Sequence, residues 1–304
     1  MKNIGTKLKY TALGLAGIVG LLIVWSFIEP RVLNTETETA KIPNLPGSWS
    51  GKQIAQLTDF QIGLWGDNRG TARRSVAKIV EAKPALALIS GDFLYHPGKN
   101  IKPEIETAVD IVRPLIEAGI PTYAVLGNHD YGMSSRKAQP KTSEAERLET
   151  ALEEAGVEVL ENEAVPLPSS EADTPLYLVG IGSLWAGRDN VDKALSNVPE
   201  SSSRIVMMHN PDTFEQLPAS SAPLAVAGHT HGGQVRIPGT PQWSWLKFTQ
   251  KDKVYADGWA KGYGEPGNRL YVNPGIGMSI APIRLFCPPE LTFFTLQSGQ
   301  VEAN

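Results

Sequence analysis

Read for its apolar and polar positions, the chain opens on an unbroken apolar run. Tyr10 to Ile28 carries no charged side chain, about the ~20 residues that a helix needs to cross a bilayer. A run this uniform has no polar face to turn toward water, which argues against a buried core helix. Farther on, short apolar runs alternate with stretches of helical spacing. Gln53 to Thr58, Pro84 to Ser90 and Pro121 to Leu126 have strand length and end in polar punctuation. Between them, 71–82 carries Val76, Ile79 and Val80, and 103–118 carries Ile105, Val109, Val112 and Ile116. This βαβαβ series predicts an α/β fold with parallel strands. A helix is expected over 143–155, and strands over 176–181, 204–208 and 224–227. From Gln234 onward, short strands such as 269–272 and 291–296 lie between proline- and glycine-rich loops, and predict a second, more antiparallel sheet.

Composition narrows the classes. The apolar share excludes a disordered chain, and the glycines lack a collagen period. A net charge of -4 argues against a surface that gathers nucleic acid by bulk attraction. The single cysteine, Cys287, can form neither an internal disulfide nor a thiolate zinc cage. No feature predicts a protein partner. Lys2, Lys7 and Lys9 precede the apolar run, and Glu36 and Glu38 follow it. That asymmetry predicts a single span with its amino end cytoplasmic and the remainder periplasmic or extracellular. The rival, a cleaved secretory signal, lacks an A-x-A site after Ile28. The expected organisation is a basic segment at 1–9, a signal anchor at 10–28, a tether at 29–50 rich in proline, threonine and glutamate, and a folded domain over 51–304.

Four of the five histidines, His129, His209, His229 and His231, lie at the ends of expected strands, and His96 follows Asp92 by four residues. In open α/β sheets such ends converge on one crevice. With Asp59, Asp92 and Asn128 these side chains make a set of oxygen and imidazole donors suited to zinc, manganese or iron. Any one alone would be an ordinary hydrogen-bonded residue; their ordered recurrence carries the signal.

That order resembles the calcineurin-like metallophosphoesterases, whose pattern is D-x-H, G-D-x-x, G-N-H-[DE], an isolated H, then G-H-x-H. Here it reads DFQ at 59–61, GDFL at 91–94, GNHD at 127–130, MMHN at 207–210 and GHTH at 228–231. The resemblance runs over roughly residues 50 to 297. It implies a four-layer α/β/β/α sandwich of two mixed sheets and a phosphoesterase with two metal ions. By the same resemblance Asp92 bridges the ions, Asp59 and His231 bind the first, and Asn128, His209 and His229 bind the second. Two cations ~3.5–4 Å apart offset the charge of a phosphoester and make water nucleophilic near neutral pH. His129 is implied beside the leaving oxygen, with Asp130 either orienting its imidazole or capping a turn.

The first block departs from the pattern, because Gln61 stands where a histidine is expected. Purple acid phosphatases also lack that histidine and use a tyrosine three residues after the bridging aspartate, a position held here by Tyr95. Gln61 and Tyr95 are therefore both candidate ligands of the first metal, and a Tyr95 phenolate would favour ferric iron. GHTHGGQVRIP at 228–238 and the stretch 271–296 resemble a membrane-anchored subgroup, YkuE-like or YaeI-like, associated with phosphodiester or phospholipid-type substrates. The rivals are a purple-acid-type phosphomonoesterase and a non-catalytic phosphate- or lipid-binding relative. Between Pro238 and Gly267, Trp243, Trp245, Phe248, Tyr255, Trp259 and Tyr263 interleave with lysines. They read either as an interfacial lip or as a cap packed over the second sheet.

Overall fold

The first apolar run forms α1 (Lys2–Ile28), exposed over nearly all of its length. It gives way to a short turn at Glu29–Arg31, where Pro30 has no N–H to continue the helical ladder. The computed structural model describes residues 2–95, 101–167, 175–238, 240–244 and 255–301. His96, Trp245 and Phe248 lie outside the described residues.

The expected tether at 29–50 is corrected. It carries β1 (Asn34–Ile42), which pairs in parallel with the last strand from Asn34↔Glu290 to Ile42↔Ser298. Thr35, Thr37 and Thr39 are exposed while Glu36 and Glu38 are half-buried. The Thr/Glu alternation is thus the period-two pattern of an edge strand, with β-branched threonines suited to it, and the polarity of the segment masks that signal. The folded body begins at Asn34, not near residue 51.

Next come β2 (Gln53–Leu57), α2 (Arg69–Ala82), β3 (Ala87–Ile89), α3 (Lys102–Glu117), β4 (Thr122–Ala124), α4 (Thr142–Glu154) and β5 (Glu158–Val159). They are followed by β6 (Glu163–Leu167), β7 (Leu176–Gly180), α5 (Val191–Leu195), β8 (Arg204–Met207) and β9 (Ala225–Ala227). The chain ends with β10 (Arg236–Ile237), β11 (Thr240–Ser244), β12 (Gly258–Trp259), β13 (Leu270–Val272) and β14 (Glu290–Ser298). One six-stranded sheet has the order β1-β14-β2-β3-β4-β5, and β2 to β5 run parallel. The other has the order β12-β13-β9-β8-β7-β6.

This second sheet differs from expectation. It starts at β6 rather than after Gln234, and β13, β9, β8 and β7 run parallel, leaving only the edge pairings antiparallel. β14, expected there, instead crosses to the first sheet between β1 and β2. Both outcomes depend on pairings remote in sequence, which local periodicity does not encode.

Alternation places Ala55 and Leu57 under α2 and α3, and Ile54 between the sheets. Ile54, Leu88, Leu178, Met207, Val226 and Phe294 make the inter-sheet core. The outer face of the second sheet is covered by α5 and the turn at Pro211–Gln216, through Val191, Ala194 and Phe214. This is the expected four-layer α/β/β/α sandwich of two mixed sheets. In the described part of the aromatic segment, Trp259 packs edge-on against Tyr271 and Phe294, and Tyr255 stacks on a buried Tyr263. These residues cap the second sheet and do not form a lip.

One core acid sets a pH dependence. Glu290 is buried and accepts from Tyr271 Oη and Thr292 Oγ1, both at 2.7 Å. Burial, aided by Asp257, pushes its carboxyl up to about 7. The native state therefore holds a proton that the unfolded chain has already released, and stability drains away as pH climbs from the ordinary glutamate range to about 7. Above that the ionised acid costs on the order of 3 kcal/mol. Glu290→Gln keeps both acceptor bonds, so thermal melts should show it more stable than the parent at pH 8 and nearly equal at pH 4. A variant less stable at pH 8 would mean that the carboxylate is held by a cation.

Candidate metal centre

Asp59 follows β2, Asp92 follows β3, Asn128 to Asp130 follow β4, His209 follows β8, and His229 and His231 follow β9. Because these strands run parallel within each sheet, their carboxyl ends meet at one edge of the sandwich. Gln56 Nε2 donates to Ala227 O at 3.1 Å and ties the two sheets just below that edge. Asp59 and Asp92 both have φ +56 and His229 has φ +72, so the backbone turns sharply as it leaves each strand. Gly127 is required where it stands, because a Cβ there would lie 2.1 Å from Asp92 Oδ1.

The structure brings all six sequence-predicted ligands together, in two groups sharing Asp92. In one, His209 Nε2 lies 3.2 Å from Asp92 Oδ2, 3.2 Å from Asn128 Oδ1 and 3.3 Å from His229 Nδ1. His209 Nδ1 meets Ser90 O at 2.8 Å, which places the proton there and turns the lone pair of Nε2 inward. Asn128 Nδ2 donates to Met133 O at 2.8 Å, so its oxygen also faces inward. In the other group His231 Nε2 lies 3.4 Å from Asp59 Oδ1. Gln61 Nε2 is 2.8 Å from Asp92 Oδ2 and 3.3 Å from His231 Nε2. Within each of the triads Asp92–His209–His229 and Asp59–Asp92–His231, one ligand atom per residue lies within 4.8 Å of the others. Gln61 Oε1 and His231 Nδ1 are buried without a hydrogen-bond partner. Acceptor atoms crowded in this way, with orphaned polar atoms beside them, fit a cation and are costly without one.

The electrostatics put two of the three imidazoles in the ligating form and leave His209 with a proton to give up before it can ligate. Burial, reinforced by Asp92, pushes Asp59 up to about 7. Burial also opposes ionisation of Asp92, yet His209 and then His129 outweigh it and hold the carboxyl below the usual range. His209 is raised to about 9, since Asp92 overcomes the burial penalty. Burial and His209 keep His229 well below the imidazole range, and burial with Arg284 takes His231 down to about 3. His229 and His231 are thus neutral, the form in which imidazole ligates metal.

His129 lies at the same edge. Its N–H donates to Asp92 Oδ1 at 2.8 Å, and Nδ1 meets Tyr95 O. Of its two expected roles, Asp130 takes the turn-capping one. Its carboxylate accepts from three backbone amides, Asp92 N at 2.9 Å, Gly127 N at 2.8 Å and Leu94 N at 3.0 Å. It shapes the turns that carry Asp92 and Asn128, and the imidazole is oriented by Tyr95 O. Tyr95 stacks its ring on His129 at 5.2 Å, and its phenol oxygen accepts from Ile280 N at 3.1 Å.

Other contributors escaped the sequence reading. Thr58 Oγ1 donates to Asp59 Oδ2 at 2.8 Å, and the edge of Trp185 meets the His229 ring at 4.5 Å. Arg284 is fully buried beside the Asp59–His231 group, donating to Gly277 O at 2.5 Å, Pro274 O at 2.8 Å, Gly275 O at 3.0 Å and Cys287 O at 3.1 Å. A lone charge inside the otherwise uncharged stretch 271–288 was its available signal. Gly232 is a tight turn against Cys287 and Pro274.

The calcineurin-like phosphoesterase family model matches residues 52–233. Phosphodiesterase YaeI of Escherichia coli is 33% identical over 73% of this chain and 74% of its own. Metallophosphoesterase YkuE of Bacillus subtilis is 26% identical over 90% and 88%. The UDP-2,3-diacylglucosamine pyrophosphatase LpxG of Chlamydia trachomatis is 24% identical over 88% and 91%. The matched span runs from the start of β2 through the last of the convergent histidines, so the residues that meet at the strand ends are those the family model covers. On these grounds the chain belongs to the calcineurin-like phosphoesterases and is a hydrolase of phosphoester bonds.

Proposed function

We propose that the chain hydrolyses a phosphodiester, borne on a lipid, at a centre of two metal ions. One would be held by Asp59, Asp92, His231 and the amide of Gln61, the other by Asp92, Asn128, His209 and His229. The observation that carries this reading is the double membership of Asp92 in the two donor groups. When bound, the ions supply charge compensation for the phosphoester and activation of water.

The chain's own residues do the rest. Ser90 O and Met133 O fix which atoms of His209 and Asn128 face inward. His129 Nδ1 meets Tyr95 O, which orients the imidazole at the edge that carries both donor groups, where it would donate a proton to the leaving oxygen. Gln61 is the better candidate than Tyr95 for the first metal. Its buried Oε1 has no hydrogen-bond partner among the described residues and belongs to the amide whose Nε2 lies beside Asp92 and His231, so that turned over it would present the oxygen to the ion, whereas the Tyr95 phenol accepts from Ile280 N. That favours manganese, zinc or ferrous iron over ferric tyrosinate, and a diesterase over a purple-acid-type monoesterase.

The lipid-borne substrate is supported by α1, with mean hydropathy 2.2 over its apolar window. It is supported also by the similarity to a pyrophosphatase named for a diacyl sugar nucleotide. We take α1 to be a single span, its amino end cytoplasmic and the catalytic domain on the other side.

Metal content and turnover of bis-p-nitrophenyl phosphate against p-nitrophenyl phosphate test the reading. The diester should be preferred by about tenfold or more, and Gln61→Ala should lower metal content while Tyr95→Phe leaves it unchanged. A visible band that vanishes in Tyr95→Phe would overturn the assignment and restore the purple-acid-type reading.

A further inference from the structure

The carboxyl end of α1 does not lead into a free linker. Glu29 is buried, and its carboxylate accepts from Cys287 N at 2.5 Å, Phe286 N at 3.0 Å and Trp25 Nε1 at 2.6 Å. Ser26 O accepts from Arg284 N at 2.9 Å, and Pro30 O accepts from Thr71 Oγ1 at 3.1 Å. Arg74 Nη2 donates to Arg31 O at 2.8 Å. The apolar helix is therefore fastened to the domain at a fixed place, the loop 274–287 and the start of α2.

Around that place the domain exposes large apolar side chains. Trp65 is 73% exposed, Ile280 68% and Phe286 40%. Trp65 and Phe27 line one groove together with Met278 and Pro282. Ile280 has φ +64 and Phe286 has φ +57. A β-branched residue in the left-handed region is strained, and strain spent on holding an apolar side chain in water calls for a functional occupant. Exposed Arg31 and Arg74 stand beside the patch, at the level where a span would leave the hydrocarbon for the headgroups. The same loop reaches the metal centre. Gly277 N donates to Asp59 O at 2.6 Å, and Ile280 N donates to the Tyr95 phenol that stacks on His129.

We propose that the face bearing Trp65, Ile280 and Phe286 is seated in the surface of the bilayer that α1 crosses, so that the edge carrying the metal centre takes lipid-borne phosphoesters from the headgroup plane of the same membrane. The occupant is lipid, because the patch continues directly from a helix that is long and apolar enough to cross a membrane and is exposed over nearly all of its length. The inference deepens the phosphoesterase reading and rests on it for the substrate, while the seating of the face stands on the contacts of α1 alone.

Two measurements on the full chain in phosphatidylcholine–phosphatidylglycerol vesicles test it. Bis-p-nitrophenyl phosphate and phosphatidyl-p-nitrophenol share a leaving group, and only the second is held in the membrane. Combining Trp65→Ser and Phe286→Ser should lower turnover of the lipid ester by about tenfold and leave the soluble diester unchanged. Equal loss on both esters, or loss on neither, overturns the proposal. Trp65 emission, isolated as the difference between wild type and Trp65→Phe, should be quenched by lipids brominated near the headgroup end of the acyl chain. Absence of quenching likewise overturns it. Quenching needs no catalysis, so failure of the hydrolytic reading, seen as no turnover of either ester by wild type, is distinguished from failure of the seating.

Discussion

Asp92→Asn is expected to lower kcat/KM on bis-p-nitrophenyl phosphate by about 10³-fold or more and to deplete both metals together. The reason is geometric. Asp92 Oδ2 lies 3.2 Å from His209 Nε2 in one group and 2.8 Å from Gln61 Nε2 in the other, so a single side chain serves both. An amide keeps one oxygen, and that oxygen is already engaged with His129 N at 2.8 Å. The NH2 group would then point into a cluster that contains Gln61 Nε2, setting donor against donor where an acceptor is needed. Asp59→Asn touches only one group, and its cost should be smaller and confined to about half of the bound metal. The check is elemental analysis of the dialysed proteins beside their kinetics. Full metal content in Asp92→Asn, or equal depletion by Asp59→Asn, would remove the case for a shared carboxylate. Asp130→Asn separates shape from ligation. Its one remaining oxygen can keep the amides of Asp92 and Gly127 while its NH2 faces Leu94 N, donor against donor, without touching a ligand atom, so its loss should appear in stability at least as much as in turnover.

The convergence behind this prediction was legible because parallel strands impose it. Asp59, Asp92, Asn128, His209, His229 and His231 each follow a strand-length apolar run, and βαβ connectivity sends such ends to one edge. Expectations stayed open or failed where a side chain's direction or a strand's partner is set by distant chain. Asp130 sits next to His129 in sequence, yet its carboxylate turns back to the amides of Asp92, Gly127 and Leu94. The Thr/Glu run of β1 looks like solvated linker until β14 arrives beside it from more than two hundred residues away. β14 in turn left the sheet of its sequence neighbours to pair with β1 and β2, where Phe293 packs with the helices and Phe294 in the inter-sheet core. Glu29 is in sequence only the first charge after the apolar run, and the tertiary contact with Phe286 and Cys287 shows it as a fastening.

Arg284→Met is the second large expectation, a loss of roughly 3–5 kcal/mol in folding stability and a fall of about 10 °C in Tm. Burying a guanidinium is costly, and no carboxylate is hydrogen-bonded to Arg284 among the described residues, so its presence needs an account. The account is the ring of carbonyls. Pro274, Gly275, Gly277 and Cys287 point their oxygens inward as the loop 274–287 folds over Asp59, and a planar fork of five N–H donors satisfies them together. Methionine matches the volume and abolishes the buried charge, which by itself would stabilise. Gly275 O keeps Glu290 N at 3.3 Å, but Pro274, Gly277 and Cys287 lose the donor that the structure shows for their oxygens, at about 1–3 kcal/mol each before relaxation, and that larger cost decides the sign. Because Gly277 N holds Asp59 O at 2.6 Å and Ser26 O holds Arg284 N at 2.9 Å, the same loss should slacken both the first metal group and the seat of α1. Arg284→Lys separates the causes. If the charge were what mattered, lysine would restore the parent Tm; if the carbonyl ring matters, a compact ammonium with three donors recovers only part of it. Thermal melts of the three proteins, each stripped of metal, read the answer directly, and a lysine variant indistinguishable from wild type would refute the carbonyl account.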